Sequence, residues 1–396
     1  MSVSGPVAYC SVCVVPSVSA VPVGLDGTHV CGACLNQQDA LEIDWGARRA
    51  LLDDLVARYR SDSNYDVVIG VSGGKDSYFQ THYAIHELGL KPLLVTYHGN
   101  NYLPEGQANL DRMRQTFESD HIVIEPSVEV LKKMNRVGFH LQGDMNWHAH
   151  CGIFTVPIQV AVRYRVPLIL WGEHGFTNLG GMFTLDDFNE FTFRDRVEHA
   201  LRGYDWHSFT DNGLAALGRP DLAEGLRPKD LLWGQYPSDE ELVDIGVRGT
   251  YLSNFAPWDG VHNAEVASQY GWEGAREPFQ RTYRRISNLD DMHENGIHDY
   301  MKFIKLGYGR GTDHACKDIR AGRMTRDEGI EMVLEYDHVR PTRDLARWLD
   351  YVDMLETEFD RVADSFRDPR VWWVESGRWY KRCIDGEVRG YERKAY

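Results

Sequence analysis

The sequence has no run of about 18 apolar residues, so no membrane-spanning helix is expected. Its opening stretch, MSVSGPVAYCSVCVVPSVSA, lacks the basic start and unbroken apolar core of a secretory signal, and the expected location is the cytoplasm. Positive charge is in deficit: 43 Lys and Arg stand against 59 Asp and Glu, a net charge of −16. A non-specific grip on nucleic acid needs clustered cations to displace counterions, so nucleic acid is not an expected partner. Repeats and low-complexity tracts are missing. Disorder at scale is excluded by a hydrophobic content of 43% with 12% aromatics. Cysteine is sparse, and four of the seven fall between positions 10 and 34. In a cytosolic chain such a cluster points to metal binding rather than disulfides.

What is present alternates in period. LEIDWGARRALLDDLVARYR (41–60) spaces its apolar residues as a helix does, and YDVVIGV is a β-branched run of the kind found in buried parallel strands. A helix ending at Gly89 and the strand KPLLVTY follow, which predicts a right-handed βαβ unit. The alternation continues through a helix at 105–118, the strand HIVIEP, a helix in VEVLKKMNRVG, a helix at 153–165 and the strand VPLILWG. The pattern then weakens, and 182–260 reads as helices and long loops rich in aromatic, acidic and Gly/Pro residues. Further helices are expected at 289–306, 325–336 and 341–366. The expected fold is a Rossmann-like, doubly wound parallel sheet (41–180), preceded by a zinc module (1–40). A mostly helical cap and C-terminal region (181–396) completes the expected organisation.

Four groups of residues carry chemistry. Ser72-Gly73-Gly74-Lys75-Asp76-Ser77 lies between a buried strand and a helix. Its glycines let the backbone approach a ligand. Its amides and the helix N-terminus make an anion site, to which Ser72 and Ser77 add hydroxyls and Lys75 a charge. Asp76 is suited to Mg²⁺. The spacing is not that of the Walker A loop; the alternative is an ordinary Gly-rich turn. Cys10-x2-Cys13 and Cys31-x2-Cys34 have two-knuckle spacing, suited to a closed, structural zinc site, with an iron–sulfur cluster or four unligated thiols as alternatives. Glu173 and His174 end the strand VPLILWG, and switch-point geometry predicts them near the phosphate loop, where Glu173 would support Mg²⁺ or a substrate donor. Upstream, GDMNWHAHC contains Asp144, His148, His150 and Cys151, at a spacing not diagnostic of a second metal site. The stretch from Lys305 to Arg323 gathers cations and His314 among helix-breaking glycines, which suits a phosphate or carboxylate. Its alternative is an exposed charged loop.

SGGKDS resembles the PP-loop signature of ATP pyrophosphatases, which makes 41–180 the expected PP-loop domain. YCSVC…CGAC, VIGVSGGKDS, GDMNWHAHCGIFT, PLILWGE, LSNFAPWDGVHNAEVA and FIKLGYGRGTDHACKDIRAGRMTRDEGI occur in one order. Together, over roughly residues 8–340, they resemble the N-acetyl sugar amidotransferase family of bacterial surface-polysaccharide pathways. The resemblance implies ATP, Mg²⁺ and structural Zn²⁺. It also implies an N-acetylated sugar on a nucleotide or other carrier, whose amide oxygen is adenylated and replaced by ammonia, with AMP and pyrophosphate released. Lys75, Asp76, Glu173 and Arg310 are the expected catalytic residues. Asp144, His150, His314, Asp318 and Arg323 are expected on the substrate side. The chain shows no glutaminase motif of its own, and Ser at position 2 excludes an N-terminal cysteine nucleophile. The family therefore implies a separate glutaminase with a channel-forming companion, like the two subunits of imidazole glycerol phosphate synthase. The sequence leaves room for a homo-oligomer. The runner-up is a PP-loop tRNA thiolation enzyme, which would want a catalytic cysteine pair; a non-catalytic zinc scaffold is a third reading that the intact SGGKDS disfavours.

Overall fold

The computed structural model describes residues 7–277, 279–286 and 292–393. Five parallel strands form the central sheet: β1 (Val67–Gly70), β2 (Pro92–Tyr97), β3 (His121–Ile124), β4 (Leu168–Trp171) and β5 (Arg248–Tyr251). Their order is β3-β2-β1-β4-β5, so the chain reverses direction between β1 and β4 and the sheet is doubly wound. Val67 pairs with Pro92 of β2 on one side of β1, and Val68 with Ile169 of β4 across that junction.

Period-two alternation decides which residues face which layer. Val67, Ile69, Leu94, Leu168 and Leu170 point to one face. There they meet α2 (Trp45–Ala57), α3 (Lys75–His82) and α11 (Gly260–Gln269). Val68, Leu93, Val95, Ile169 and Tyr251 point to the other. That face is covered by α5 (Val128–Gln142) and α6 (Trp147–Tyr164), while α4 (Pro104–Thr116) joins β2 to β3. The short helices α7 (Gly175–Asn178), α8 (Phe193–Asp195), α9 (Asp211–Ala216) and α10 (Asp239–Ile245) carry the chain from β4 to β5.

Beyond α11 come α12 (Glu294–Leu306), α13 (Arg310–Arg320), α14 (Arg326–Tyr336), α15 (Thr342–Val352) and α16 (Glu356–Ser365). Ile297, Met301, Leu345, Trp348 and Phe359 close a third core with Phe139 of α5. The start of the expected helix 289–306 lies partly outside the described residues, and the expected helix 341–366 is two helices broken at Asp353, whose φ is +54°.

Two further features add to the expected organisation. The sheet does not stop at residue 180, because β5 pairs with β4 from Leu168↔Arg248 to Trp171↔Tyr251. The C-terminal region is helical only to Ser365; β6 (Trp373–Glu375), β7 (Arg378–Arg382) and β8 (Val388–Tyr391) then form an antiparallel sheet. Among the described residues no helix is long and apolar enough to cross a membrane.

Candidate functional site

The loop Ser72–Ser77 leaves β1 at the switch point and enters α3 with Gly74 as N-cap. Gly73 has φ +85°, and a Cβ there would sit 2.7 Å from the Leu110 amide nitrogen, so only glycine fits. The Ser72 amide donates to Ser77 Oγ at 3.0 Å and the Gly74 amide to Ser72 Oγ at 3.3 Å. The hydroxyls thus brace the turn.

Lys75 is buried, and its Nζ lies 2.8 Å from Asp76 Oδ2. Asn263 of α11 donates to Asp76 Oδ1 at 2.7 Å. Burial works to raise the Asp76 carboxyl, but Lys75, the Asn263 amide and Lys317 outweigh it and hold the group below the usual carboxylate range. A Cβ on Gly260 would stand 3.2 Å from Lys75 Cε, so α11 begins directly against the loop lysine.

Glu173 follows β4 across the same junction. Lys317 of α13 approaches its two oxygens at 3.0 and 3.1 Å, and Asn178 donates to it at 3.0 Å. Lys317 therefore acts on both carboxylates, Glu173 by contact and Asp76 through its field. Glu173, Lys317, Asp259, Gly260, Arg320 and Arg323 face a cleft of about 430 Å³, whose far wall is Ala33, Asn36 and Gln37 of α1 (Gly32–Asp39). His174 turns away, bonding Thr177 Oγ1 at 2.7 Å.

The other expected residues fall in four places. Arg323 belongs to the cleft wall, and Asp318 stands behind it. Asp318 accepts from Arg284, Tyr283 and Arg323, and Arg323 also reaches Asp259 at 2.9 Å. His314 is buried, with Nδ1 2.6 Å from Thr282 Oγ1. Burial, with the charges of Arg284, Arg310, Lys317 and Lys75, drives its pKa well below the ordinary imidazole value. Arg310 at the start of α13 contacts Asp299 Oδ1 at 2.7 and 3.0 Å and Asp313 at 3.5 Å. Arg281 binds the other oxygen of Asp299. Asp144 and His150 lie at the N-terminal end of α6, on the opposite face of the sheet from α3 and α11. His148 is spent on Tyr97 and Asn135, and Cys151 on Thr155 and Arg196, so the cluster suggested by HAHC does not form.

The four N-terminal cysteines are buried, with Cys10 and Cys34 sulfurs 4.0 Å apart and Cys13 and Cys31 sulfurs 3.7 Å apart. A tetrahedron with Zn–S bonds of about 2.3 Å sets its sulfurs about 3.8 Å apart, so the donors suit such an ion; these separations are far beyond a disulfide. The amides of Val12, Cys13 and Cys31 point at Cys10 Sγ from 3.3 to 3.4 Å, as a thiolate ligand requires. The knuckle rests on α13 and α14: Cys316 and Ala315 join its core, and Arg326 donates to the Cys10 and Cys13 carbonyls.

Sequence reasoning missed Asn263, Asp259 and Lys317 as individuals. Asp259 is the N-cap of α11, accepting from Val261 and His262, and the signal was present in WDGVHN: an Asp before a helical pattern.

Residues 273–384 match the family model described as LPS biosynthesis protein WbpG-like, C-terminal domain. The segment spans α12–α16 with β6 and β7, and the match accords with the resemblance carried by the sequence motifs. No curated protein matches the chain. Among solved structures, the NH3-dependent NAD synthetase from Campylobacter jejuni subsp. jejuni NCTC 11168, in complex with the nitrate ion, is 12% identical. The alignment covers 60% of this chain and 100% of that one, with a TM-score of 0.28. At that score the likeness carries no functional weight.

Proposed function

We propose that the chain is an ATP-dependent amidotransferase that turns a sugar N-acetyl group into an acetamidino group. The observation that carries the proposal is the meeting of the Ser72–Ser77 loop, Glu173 and Lys317 at the switch point, beside a cleft walled by the WbpG-like segment. The loop amides and Lys75 hold the pyrophosphate end of ATP. The amide oxygen attacks the α-phosphorus, pyrophosphate leaves, and the sugar carries an O-adenylyl imidate. Ammonia adds at the imidate carbon, AMP departs with the oxygen, and loss of a proton leaves the amidine. Asp76 and Glu173 are the carboxylates that would hold Mg²⁺, which supplies charge neutralisation at the phosphates. Arg310, His314, Asp318 and Arg323 belong to the same α13 region and form the substrate side. The four cysteines hold structural zinc. Ammonia comes from a separate glutaminase pair.

The thiolation reading wants two cysteines that can reach each other. Cys151 is buried among the residues of α6 and Cys316 in the knuckle core, two separate clusters. The test incubates the protein with ATP, Mg²⁺, ammonium and nucleotide-linked N-acetyl sugars. The expected product is lighter by about one mass unit, since NH replaces O, and gains a cation; AMP and pyrophosphate accompany it. A thiolated tRNA base formed from a sulfur donor, with no amidine, overturns the proposal.

A further inference from the structure

Asp144 is a buried carboxylate poorly served by hydrogen bonds. Among the described residues, the donor it accepts from is the Asn146 amide, 3.0 Å from Oδ1. Lys305 stands near but spends its head group on the carbonyls of Gln142 and Gly143, at 3.3 and 2.9 Å. A buried charge is expected to be paired, fully hydrogen-bonded or bound to a metal. What faces Asp144 instead is a pair of imidazoles. His150 Nε2 lies 3.5 Å from Oδ2 and His298 Nε2 3.8 Å from Oδ1. The three donor atoms lie within 4.8 Å of one another.

The elements that supply them are a helix cap and two helices. Asp144 sits just after Gly143, the left-handed cap of α5 at φ +64°, where a Cβ would press on Phe366. His150 is in the first turn of α6, and His298 comes from the middle of α12, more than a hundred residues later. A divalent ion with bonds of about 2.1 Å keeps neighbouring ligand atoms about 3.0–3.4 Å apart, so each imidazole needs to close on the carboxylate by only a few tenths of an ångström and the triad as a whole contracts from within 4.8 Å. Two imidazoles and one carboxylate on one side of an ion leave its other positions open. Asn146 Oδ1, also buried and two residues along, has no hydrogen-bond partner among the described residues.

We propose that Asp144, His150 and His298 form a second metal centre, separate from the cysteine knuckle, which binds a divalent first-row transition ion such as zinc. Its open positions take oxygen ligands. Lys305 and Arg202 act on the same carboxylate, so an ion there makes the centre net positive and selects an anionic oxygen, from hydroxide or a ligand phosphate or carboxylate. The centre does not depend on the amidotransferase reading.

The experiment uses the full chain and zinc alone. After equilibrium dialysis against micromolar zinc, the wild type should hold about one ion more than the single ion of the four-cysteine knuckle. His298→Ala and His150→Ala should each lose that extra ion and keep the knuckle ion, whose retention reports an intact fold. Cobalt(II) added to wild type that carries zinc in the knuckle alone should give the visible bands of a nitrogen- and oxygen-ligated ion without thiolate charge transfer, and neither variant should show them. A wild type that never exceeds the knuckle ion overturns the proposal. So does an extra ion that both variants retain, which would leave the triad as a carboxylate hydrogen-bonded by imidazoles.

Discussion

Lys75 and Asp76 are neighbours in sequence and partners in space, and their ion pair is held from α11 by Asn263. Lys75→Ala is expected to lower AMP and pyrophosphate formation on the order of 10²-fold or more, as for other removed transition-state donors. Normal pyrophosphate release from that variant would remove the loop from the chemistry. Arg310→Ala asks a different question, because Arg310 already serves Asp299 and Asp313. A charge-stabilising role predicts a similar loss of turnover with the melting temperature retained; a lower melting temperature with normal turnover would make Arg310 a brace for α13. Glu294 offers a pH test. Burial pushes its carboxyl up to about 8, although Asn101 and Arg347 pull it down. Between its ordinary 4.5 and about 8 the native state keeps a proton that the unfolded chain has lost. Stability therefore falls as pH rises through that window and levels off above it. Glu294→Gln should flatten this fall, so that the wild type alone loses a few degrees of melting temperature between pH 5 and 8.

Helix α6 lies so close to the sheet that a Cβ at Gly152 would come within 2.3 Å of the Tyr97 ring. Gly152→Ala should destabilise by about 1–3 kcal/mol, the usual cost of overpacking, measured by urea unfolding. At this scale the sequence was read well where apolar periodicity is strong. VVIG, PLLVTY and LILW are buried runs, and each formed a strand. RGTY did not announce β5, because a four-residue strand without an apolar run has no period to detect, and its pairing with β4 supplies what its composition lacks. The C-terminal sheet was legible in principle. Glu375 pairs with Arg378 around Ser376-Gly377, both at positive φ, a two-residue hairpin turn. Its strands, WVE, RWYKR and VRGY, mix aromatic and charged residues without an apolar run, which helix-oriented reading passed over. The position of the phosphate loop was legible for the opposite reason: a glycine that no other residue can replace stands between two strongly patterned elements. The triad of Asp144, His150 and His298 was not, because His298 reaches it only through the packing of α12.

Across the whole molecule, the first forty residues and the last third share one wall. The knuckle presents α1 to the cleft and rests on α13, the helix that carries Lys317 and Arg320 to the same cleft. Stripping the knuckle ion with a chelator should therefore lower the melting temperature and slow ATP cleavage together, although no cysteine touches the phosphate loop. Loss of metal with both unchanged would separate the module from the site.

The same contact sets an order of events during synthesis. Arg326 closes on the Cys10 and Cys13 carbonyls from 316 and 313 residues further along the chain. At about 5–20 residues per second, the finished knuckle waits roughly 15–60 s for the surface it docks on. Through that interval four thiols that end up buried stand open to oxidants and to competing soft metals. Early capture of an ion by the nascent cysteines would protect them, and cells short of zinc should accumulate newly made chains with oxidised N-termini rather than damaged mature protein.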